Sequence, residues 1–264
     1  MNTLLKALRY RWLKWTERKV SLPISALLPL ERPGTGYGGW IIPQQFLHAR
    51  SVVYLVGAGE DVSFDVAVAD RYGCAVHIVD PTPRAQSHVE LLINNLSQGR
   101  PTPLQNTPSG HYPDAHPATA QLLHFHPTGL WNKQEILRFY EPANPEHVSH
   151  SLVNLQKTEK FIEVPVMRLS QLMRENGHTH IDLLKIDIEG AEYTVLETLT
   201  EDQLDVKVLC IEFDESAAHH HNSKYMDRIE GALQRLHQYG YRILAKEPHC
   251  HNYTLAHTSI LPRV

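Results

Sequence analysis

From residue 51 onward, short apolar runs alternate with longer segments in which apolar residues recur at helical spacing. The apolar runs are rich in Val, Ile, Leu and Phe, which predicts strands that are covered on both faces. The predicted strands are 52–56, 75–79, 122–126, 161–167, 181–186 and 206–213. The predicted helices are 62–71, 88–96, 169–176, 191–199 and 223–239. Strands that alternate with helices indicate an α/β fold with a doubly wound, mostly parallel sheet.

The segments on either side of this alternation differ from it. Towards the C-terminus, residues 241–245 and 253–257 predict an antiparallel strand pair that closes the sheet. Before the alternation, residues 22–39 are rich in Pro and Gly and predict a loop, and residues 40–42 predict a short strand.

The chain is therefore expected to have two regions. Residues 1–50 comprise a basic amphipathic helix and the Gly/Pro-rich loop, and residues 51–264 form the α/β domain with a loop-rich insert around 98–156. The helix places four apolar residues on one face, namely Leu5, Leu8, Trp12 and Trp15. That face packs on the domain or on a second subunit of a homo-oligomer, or else residues 1–20 lie on an anionic membrane surface. Both alternatives stay open.

The composition favours one globular domain with one active site. With 264 residues, 42% of them hydrophobic, the chain can bury a single large core. The formal net charge of −4 creates no basic field for a nucleic-acid backbone, so we expect no nucleic-acid partner. The 3 cysteines suit a reducing compartment, and no apolar run approaches the ~20 residues that cross a bilayer. We expect a cytoplasmic protein, with peripheral contact at the membrane surface through residues 1–20 as the alternative.

A glycine turn follows the first strand of the alternation. The sequence Gly57-Ala58-Gly59-Glu60-Asp61, called the glycine loop below, joins an apolar strand to a helix. In a doubly wound sheet, such a turn brings backbone N–H groups and a helix N-terminus to a ligand. The same turn can also serve only to pack a helix on a sheet, so the loop alone leaves binding and packing open.

An acid at the end of the second strand favours binding. Asp80, which precedes Pro81, lies about twenty residues after the glycine loop, where a carboxylate can accept two hydrogen bonds from a ribose. A dinucleotide fingerprint requires a third Gly or Ala where this chain has Val62, which argues against a pyrophosphate cofactor. Glu60 and Asp61 add negative charge that repels phosphates but tolerates a sulfonium or an amino group. S-adenosylmethionine carries both groups and no phosphate, so we expect it as the cofactor.

A second acidic cluster follows the predicted strand 181–186. Asp187 and Glu189 should lie at its carboxyl end, the edge that lines the ligand crevice in open α/β sheets. They would share that crevice with the glycine loop and Asp80. Glu192, in the first turn of the next helix, is interpreted as a residue that complements the helix dipole.

The run Leu-Lys-Ile-Asp-Ile-Glu-Gly-Ala-Glu at 184–192 resembles the most recognisable segment of the FkbM-type family of S-adenosylmethionine-dependent methyltransferases. The resemblance extends from about Tyr54 to Glu212 and includes the glycine loop and Asp80-Pro81. It implies a Rossmann-like fold of the class I methyltransferase type and an enzyme that methylates oxygen, often a hydroxyl of a sugar or another secondary metabolite. The glycine loop departs from the commoner Gly-Ala-Asn-x-Gly, and residues 130–156 form an insert of their own.

The eight residues predicted to bind the cofactor are Gly57, Ala58, Gly59, Glu60, Asp61, Asp80, Pro81 and Leu130. Leu130, which follows the third strand of the alternation, would give the adenine an apolar wall.

Methylation of a hydroxyl requires that the acceptor be aligned and that its proton be removed. The predicted catalytic residues are Asp187, Glu189, His150 and Lys185. The carboxylates or the histidine would act as the base, and the lysine would stabilise an alkoxide or pair with the acids. Alternatively, Asp187 and Glu212 would bind a divalent metal such as Mg²⁺ that lowers the hydroxyl pKa.

Two other functions stay open beside O-methylation of a small-molecule or glycan acceptor. N-methylation of an amine needs less help from a base, and a binding module would keep the ligand pocket without turnover. Histidines outside the insert are interpreted as ordinary polar residues, although His124 and His126 alternate on a predicted strand and should share one face.

Overall fold

The computed structural model describes residues 20–25, 27–140, 160–188, 190–214, 225–247 and 250–262. The strands are β1 (Leu30–Glu31), β2 (Ile42–Pro43), β3 (Val53–Val56), β4 (Val76–Val79), β5 (Leu123–His126), β6 (Gly129–Leu130), β7 (Glu135–Tyr140), β8 (Phe161–Met167), β9 (Ile181–Ile186), β10 (Val206–Glu212), β11 (Tyr241–Lys246) and β12 (Asn252–His257). The helices are α1 (Ser63–Tyr72), α2 (Pro83–Ser97), α3 (Leu169–Glu175), α4 (Glu192–Glu201) and α5 (Tyr225–Gln238). The N-terminal helix predicted within residues 1–20 lies almost entirely outside these described residues. Within them, no helix is long and apolar enough to cross a membrane.

Seven strands form the main sheet in the order β11-β12-β10-β9-β3-β4-β5. Five strands are parallel to one another, namely β10, β9, β3, β4 and β5. Strand β12 runs antiparallel to both of its neighbours, β10 and β11. The predicted α/β fold and its antiparallel C-terminal pair are therefore confirmed. The chain order reverses between β3 and β9, and at such a switch point a crevice opens at the carboxyl ends of the strands.

The central strands are buried on both faces of this sheet, as their mostly apolar runs predict. Because side chains alternate along a strand, Leu55 packs into one core and Tyr54 into the other. Helices α1 and α2 cover the face of Leu55, and α3, α4 and α5 cover the face of Tyr54. The sheet is thus enclosed between two helical layers, and its strand ends remain the natural place for a ligand.

A second, three-stranded sheet has the order β6-β8-β7. It contains the predicted strand 161–167, which pairs antiparallel with β7 instead of joining the main sheet. Val164 and Val166 are buried against Phe139, whereas Glu163 and Pro165, which alternate with them, are exposed. A strand with one solvent-exposed face does not lie in the middle of a sheet that is covered on both sides, so this strand joins β6 and β7, which lie within the predicted insert.

The described part of residues 1–50 packs on the main domain. Trp40 and Ile42 are buried in the same core as Leu55. The strand predicted at 40–42 overlaps the observed β2 (Ile42–Pro43), which pairs with β1, only at Ile42. The Ser25 N–H donates a hydrogen bond of 2.7 Å to the carbonyl oxygen of Ile243 in β11. The Gly-rich segment between β1 and β2 is held near the strand ends by the hydrogen bond from the Thr35 hydroxyl to Asp61.

Candidate active site

A cleft of about 390 Å³ opens where the chain order reverses between β3 and β9. This volume is in the range of small-molecule sites. Of the predicted site residues, the cleft is lined by Gly57, Ala58, Gly59, Glu60, Asp61, Asp80, Pro81, Leu130, Lys185, Asp187 and Glu212. The glycine loop and the second acidic cluster, which are far apart in the sequence, therefore face the same space.

The glycine loop closely approaches the end of β9 at Gly57. This residue has a φ of 86°, in the left-handed region, and a Cβ atom on it would lie 1.7 Å from the backbone oxygen of Asp187. Its N–H donates a hydrogen bond of 2.9 Å to the carbonyl oxygen of Val79. Glycine is required here for both conformation and space. Gly59 has a φ of 53°, but nothing lies within 4 Å of a Cβ placed on it, so this part of the loop borders open space.

The carboxylate of Asp80 holds the glycine loop in place. Its Oδ2 accepts hydrogen bonds from the N–H groups of Ala58 at 2.9 Å and Gly59 at 3.2 Å. Its Oδ1 accepts one from the Thr82 N–H at 2.8 Å and one from the Thr82 hydroxyl at 2.6 Å. A carboxylate offers about four lone pairs, so these contacts use its capacity. The contact of Asp80 with a ribose stays a prediction, and it requires one of these donors to give way.

The two acids of the glycine loop have partners of their own. Glu60 forms a two-point ion pair with Arg84, with Nε–Oε1 and Nη2–Oε2 distances of 2.6 and 2.9 Å. Asp61 accepts a hydrogen bond of 2.9 Å from the Ser63 N–H and one of 3.1 Å from the Thr35 hydroxyl. Asp61 therefore ties the Gly-rich N-terminal segment to the glycine loop.

Lys185 is a buried cation between the glycine loop and the acidic cluster. Its side-chain Nζ donates a hydrogen bond of 2.7 Å to the carbonyl oxygen of Gly57 and lies 3.1 Å from Oδ2 of Asp187. Burial acts to lower the pKa of Lys185, but the charges of Asp187 and Asp65 outweigh it, and the pKa is raised. Lys185 therefore remains protonated at neutral pH and pairs with Asp187.

Glu212 ends β10, the strand next to β9, and faces the cleft with Asp187. Burial raises the pKa of Glu212 above its usual value, the charge of Asp187 raises it further, and Lys185 opposes both. A carboxyl group whose pKa moves towards neutrality can accept a proton and release it again near neutral pH. Of the described carboxylates in the cleft, Glu212 is thus the one best suited to act as a base.

Glu192 has a structural role at the start of α4. It is 1% exposed, and its Oε1 accepts hydrogen bonds from the N–H groups of Ile188 at 3.2 Å and Gly190 at 3.1 Å. Burial raises the pKa of Glu192 to about 7. The side chain closes the turn that carries Asp187 into the cleft, in agreement with its interpretation as a helix N-terminal residue.

Several residues of the cleft were missed by the sequence analysis. Trp40 forms an apolar wall, with Nζ of Lys185 at 5.8 Å from its ring centroid. Arg32 and Glu247 line the cleft and form an ion pair of 2.6 Å. Asn252, at the start of β12, also lines it. The glycines before Trp40 predicted a loop, but no sequence signal marked Arg32, Glu247 or Asn252.

The predicted shared face of His124 and His126 is confirmed, but it lies away from the cleft. The ring of His77 stacks on both, with centroid distances of 5.2 and 5.1 Å, and on Tyr54 at 4.7 Å. Burial lowers the pKa of His77 to about 3. None of these four residues lines the cleft, so their role is one of packing.

Two predicted catalytic residues, Glu189 and His150, lie outside the described residues. In the described part of the chain, no group of three or more His, Cys, Asp or Glu side chains is arranged to hold a metal ion. Asp187 and Glu212 both line the cleft, but within those residues the predicted Mg²⁺ site has no third such ligand.

Comparison with known proteins identifies the family. One relative is the 31-O-demethyl-FK506 methyltransferase FkbM of Streptomyces tacrolimicus, which is 31% identical over 160 residues. That match covers 57% of this chain and 60% of the relative, so it spans less than two thirds of the relative's length.

Solved structures give weaker similarities. The METTL16 MTase domain has 10% identity and a TM-score of 0.41, and the match covers 97% of this chain and 81% of that one. A human methyltransferase 10 domain containing protein has 11% identity and a TM-score of 0.38, with 97% and 98% covered. TM-scores of this size carry no argument about function.

The family model is the decisive comparison. A model described as the methyltransferase FkbM domain matches residues 54–243, well over half of the chain. This range includes the glycine loop, Asp80, Lys185, Asp187 and Glu212. The chain therefore belongs to the FkbM family of methyltransferase domains.

Proposed function

We propose that this protein is an S-adenosylmethionine-dependent methyltransferase that acts on a hydroxyl group of a sugar, a glycan or another secondary metabolite. The observation that carries the proposal is the cleft at the switch point of the sheet. There the glycine loop faces the same 390 Å³ as Lys185 and the carboxylates of Asp187 and Glu212. One side is suited to a nucleoside and the other to proton transfer from an acceptor.

The cofactor side fits a nucleoside without phosphates. In pyrophosphate-binding loops, backbone N–H groups point at the ligand. Here the N–H groups of Ala58 and Gly59 already donate to Asp80, so they are not available to a phosphate. Several carboxylates line the cleft and would favour the sulfonium and ammonium groups of S-adenosylmethionine. The open space beside Gly59 and the apolar side chain of Leu130 leave room for its flat base.

The bound cofactor would supply an electrophilic methyl group, and the chain would supply alignment and a base. Glu212 would accept the proton of an acceptor hydroxyl, because it lines the cleft and burial raises its pKa. Lys185 fixes Asp187 by the ion pair and fixes Gly57 by the hydrogen bond. Trp40 and the segment before it line the cleft, and their apolar surface would help to keep water from a bound acceptor.

The choice of oxygen over nitrogen rests on the same carboxylate. An alcohol is a weak nucleophile that must lose its proton, and a carboxylate with a raised pKa can remove that proton. The name of the Streptomyces tacrolimicus relative, a 31-O-demethyl-FK506 methyltransferase, supports methylation of oxygen.

The first test is calorimetry of the purified protein with S-adenosylmethionine and S-adenosylhomocysteine, with NAD and ATP as controls. The proposal expects both sulfur ligands to bind and the two controls to fail. A methyl-transfer assay with a panel of sugars and a matched panel of amino sugars then separates oxygen from nitrogen acceptors. Binding without transfer to any acceptor would favour a binding module, and failure of both sulfur ligands would remove the cofactor from the proposal.

A further inference from the structure

Asn252 lies beside Glu212 in the wall of the cleft. Strands β10 and β12 are antiparallel, and their register pairs Glu212 directly with Asn252. Directly opposed residues of an antiparallel pair project to the same face, with Cβ atoms about 4.5–5.5 Å apart. Both residues line the cleft. Their side chains therefore present two polar groups to the same part of the ligand space.

The side-chain oxygen of Asn252 is buried, and no group in the described part of the chain donates a hydrogen bond to it. The backbone carbonyl oxygen of the same residue, in contrast, accepts a hydrogen bond of 3.0 Å from the Glu247 N–H. Buried polar atoms in folded proteins almost always have a partner. An acceptor without one, in the wall of a ligand cleft, points to a donor that arrives with the ligand.

The surroundings of Asn252 define the ligand's chemistry. The neighbouring Glu212 carboxylate also accepts hydrogen bonds, so a ligand that satisfies both residues must offer two adjacent donors. A pair of hydroxyls on neighbouring carbons does so, and so does an ammonium group. The proposed function requires an acceptor hydroxyl whose proton is removed, so the pair of hydroxyls, and not the ammonium group, is the ligand that fits it. Trp40 offers a flat apolar wall of the kind that packs against a ring.

We infer that the acceptor is a vicinal diol and that Asn252 is the residue that selects it. This inference rests on the proposed function. One hydroxyl donates its proton to Glu212, and its oxygen forms a bond to the methyl carbon as the carbon–sulfur bond breaks and sulfur keeps the electron pair. The adjacent hydroxyl donates to Oδ1 of Asn252 and sets the position of the first.

The test compares cis-cyclohexane-1,2-diol with cyclohexanol as probes, titrated by NMR into protein saturated with S-adenosylhomocysteine. The diol is expected to bind roughly tenfold tighter, as one extra buried hydrogen bond allows. The nearly isosteric variant Asn252→Leu should bind both probes equally while its affinity for S-adenosylhomocysteine is unchanged. If that variant does not fold, Asn252→Thr replaces it, because threonine is favoured in strands and its side chain is shorter than that of asparagine. This variant should also bind both probes equally.

Equal binding of the two probes to the unaltered protein would overturn the inference, as would a diol preference that survives in a folded variant. Tighter binding of cyclohexylamine than of the diol would overturn it in favour of an amine. Failure of S-adenosylhomocysteine to bind the unaltered protein is a separate result, which contradicts the proposed function itself.

Discussion

The backbone carbonyl oxygen of Asp187 lies 1.7 Å from the position that a Cβ atom on Gly57 would occupy. The first residue of the glycine loop and the residue that follows β9 are therefore in direct backbone contact. The hydrogen bond from Lys185 to the Gly57 carbonyl crosses the same junction. The cofactor side and the acceptor side of the cleft meet there.

Substitution of Gly57 should disrupt both sides. Gly57→Ala forces the loop away from β9, so we expect loss of S-adenosylhomocysteine binding and a large fall in Tm. The matched control is Gly59→Ala, where a Cβ has open space and only the left-handed backbone costs about 1–2 kcal/mol. Calorimetry and thermal unfolding of both variants check this. Equal behaviour of the two would show that the contact with Asp187 is unimportant.

The carboxylate of Asp80 should matter for binding through the loop it holds. In Asp80→Asn, an amide NH₂ replaces an oxygen and faces N–H groups of the loop or of Thr82. We expect about 1.5–3 kcal/mol of lost stability and weaker S-adenosylhomocysteine binding. Asp70→Asn is the control, since Asp70 also accepts two hydrogen bonds, from His116 and Thr119, away from the cleft. It should lower Tm without changing the affinity.

Glu212 should control the rate and its pH dependence. Glu212→Gln is expected to lower kcat by about 10²–10⁴-fold with little change in cofactor affinity. In the unaltered protein, kcat should rise with pH through an apparent pKa well above that of an ordinary glutamate, because only the carboxylate accepts a proton. Asp205→Asn, just before β10 at its opposite end, serves as the control for kcat. A fully active Glu212→Gln variant would remove Glu212 from the mechanism.

The raised pKa of Glu212 also predicts a pH dependence of protein stability that can be measured without an acceptor substrate. Its folded pKa is raised above the unfolded value of 4.5, so the native state binds more protons than the unfolded state. Stability therefore falls as pH rises from the unfolded pKa through the folded one. The fall should be smaller in Glu212→Gln, as measured by urea unfolding across that range. An identical pH profile for both proteins would contradict the raised pKa.

Removal of the Lys185 charge should destabilise the protein and shift the rate profile. Lys185→Met leaves Asp187 without its buried partner, a change that costs about 3–5 kcal/mol in such pairs. Because Lys185 lowers the pKa of Glu212, its loss should move the rising limb of kcat to higher pH. Lys207→Met, on β10 and paired with Asp205 outside the cleft, should do neither. If the pH dependence of kcat is the same in Lys185→Met and in the unaltered protein, Lys185 does not influence the pKa of the catalytic base.

The stacked histidines should make the fold sensitive to acid. The pKa of His77 falls to about 3 on burial, and that of His126 is lowered as well, so the unfolded state takes up protons first as pH falls below 6.5. Between about pH 7.5 and 5.5, the buried His77 imidazole costs on the order of 1 kcal/mol of stability. His77→Phe keeps the stack and should lose less stability over that interval than the unaltered protein, measured by urea unfolding. The exposed His111→Phe should show no such difference.

Much of the site could be predicted because its residues are adjacent to strand ends. The glycine loop, Asp80, Asp187 and Glu212 each follow an apolar run, and the rule that parallel strands end at one edge is enough to bring them together. The environment of each group could not be predicted. The hydrogen bonds that occupy Asp80, and the burial that raises the pKa of Glu212, depend on atoms from other segments.

The sequence by itself determined the α/β class, the antiparallel C-terminal pair and the family, since periodicity and motif are local properties. Only the tertiary structure decided which sheet the strand 161–167 joins and which distant residues complete the cleft. Arg32 and Trp40 reach it from loops, and Asn252 reaches it from the start of β12. Their positions follow from packing across the whole domain, and that information is not contained in any single segment of the chain.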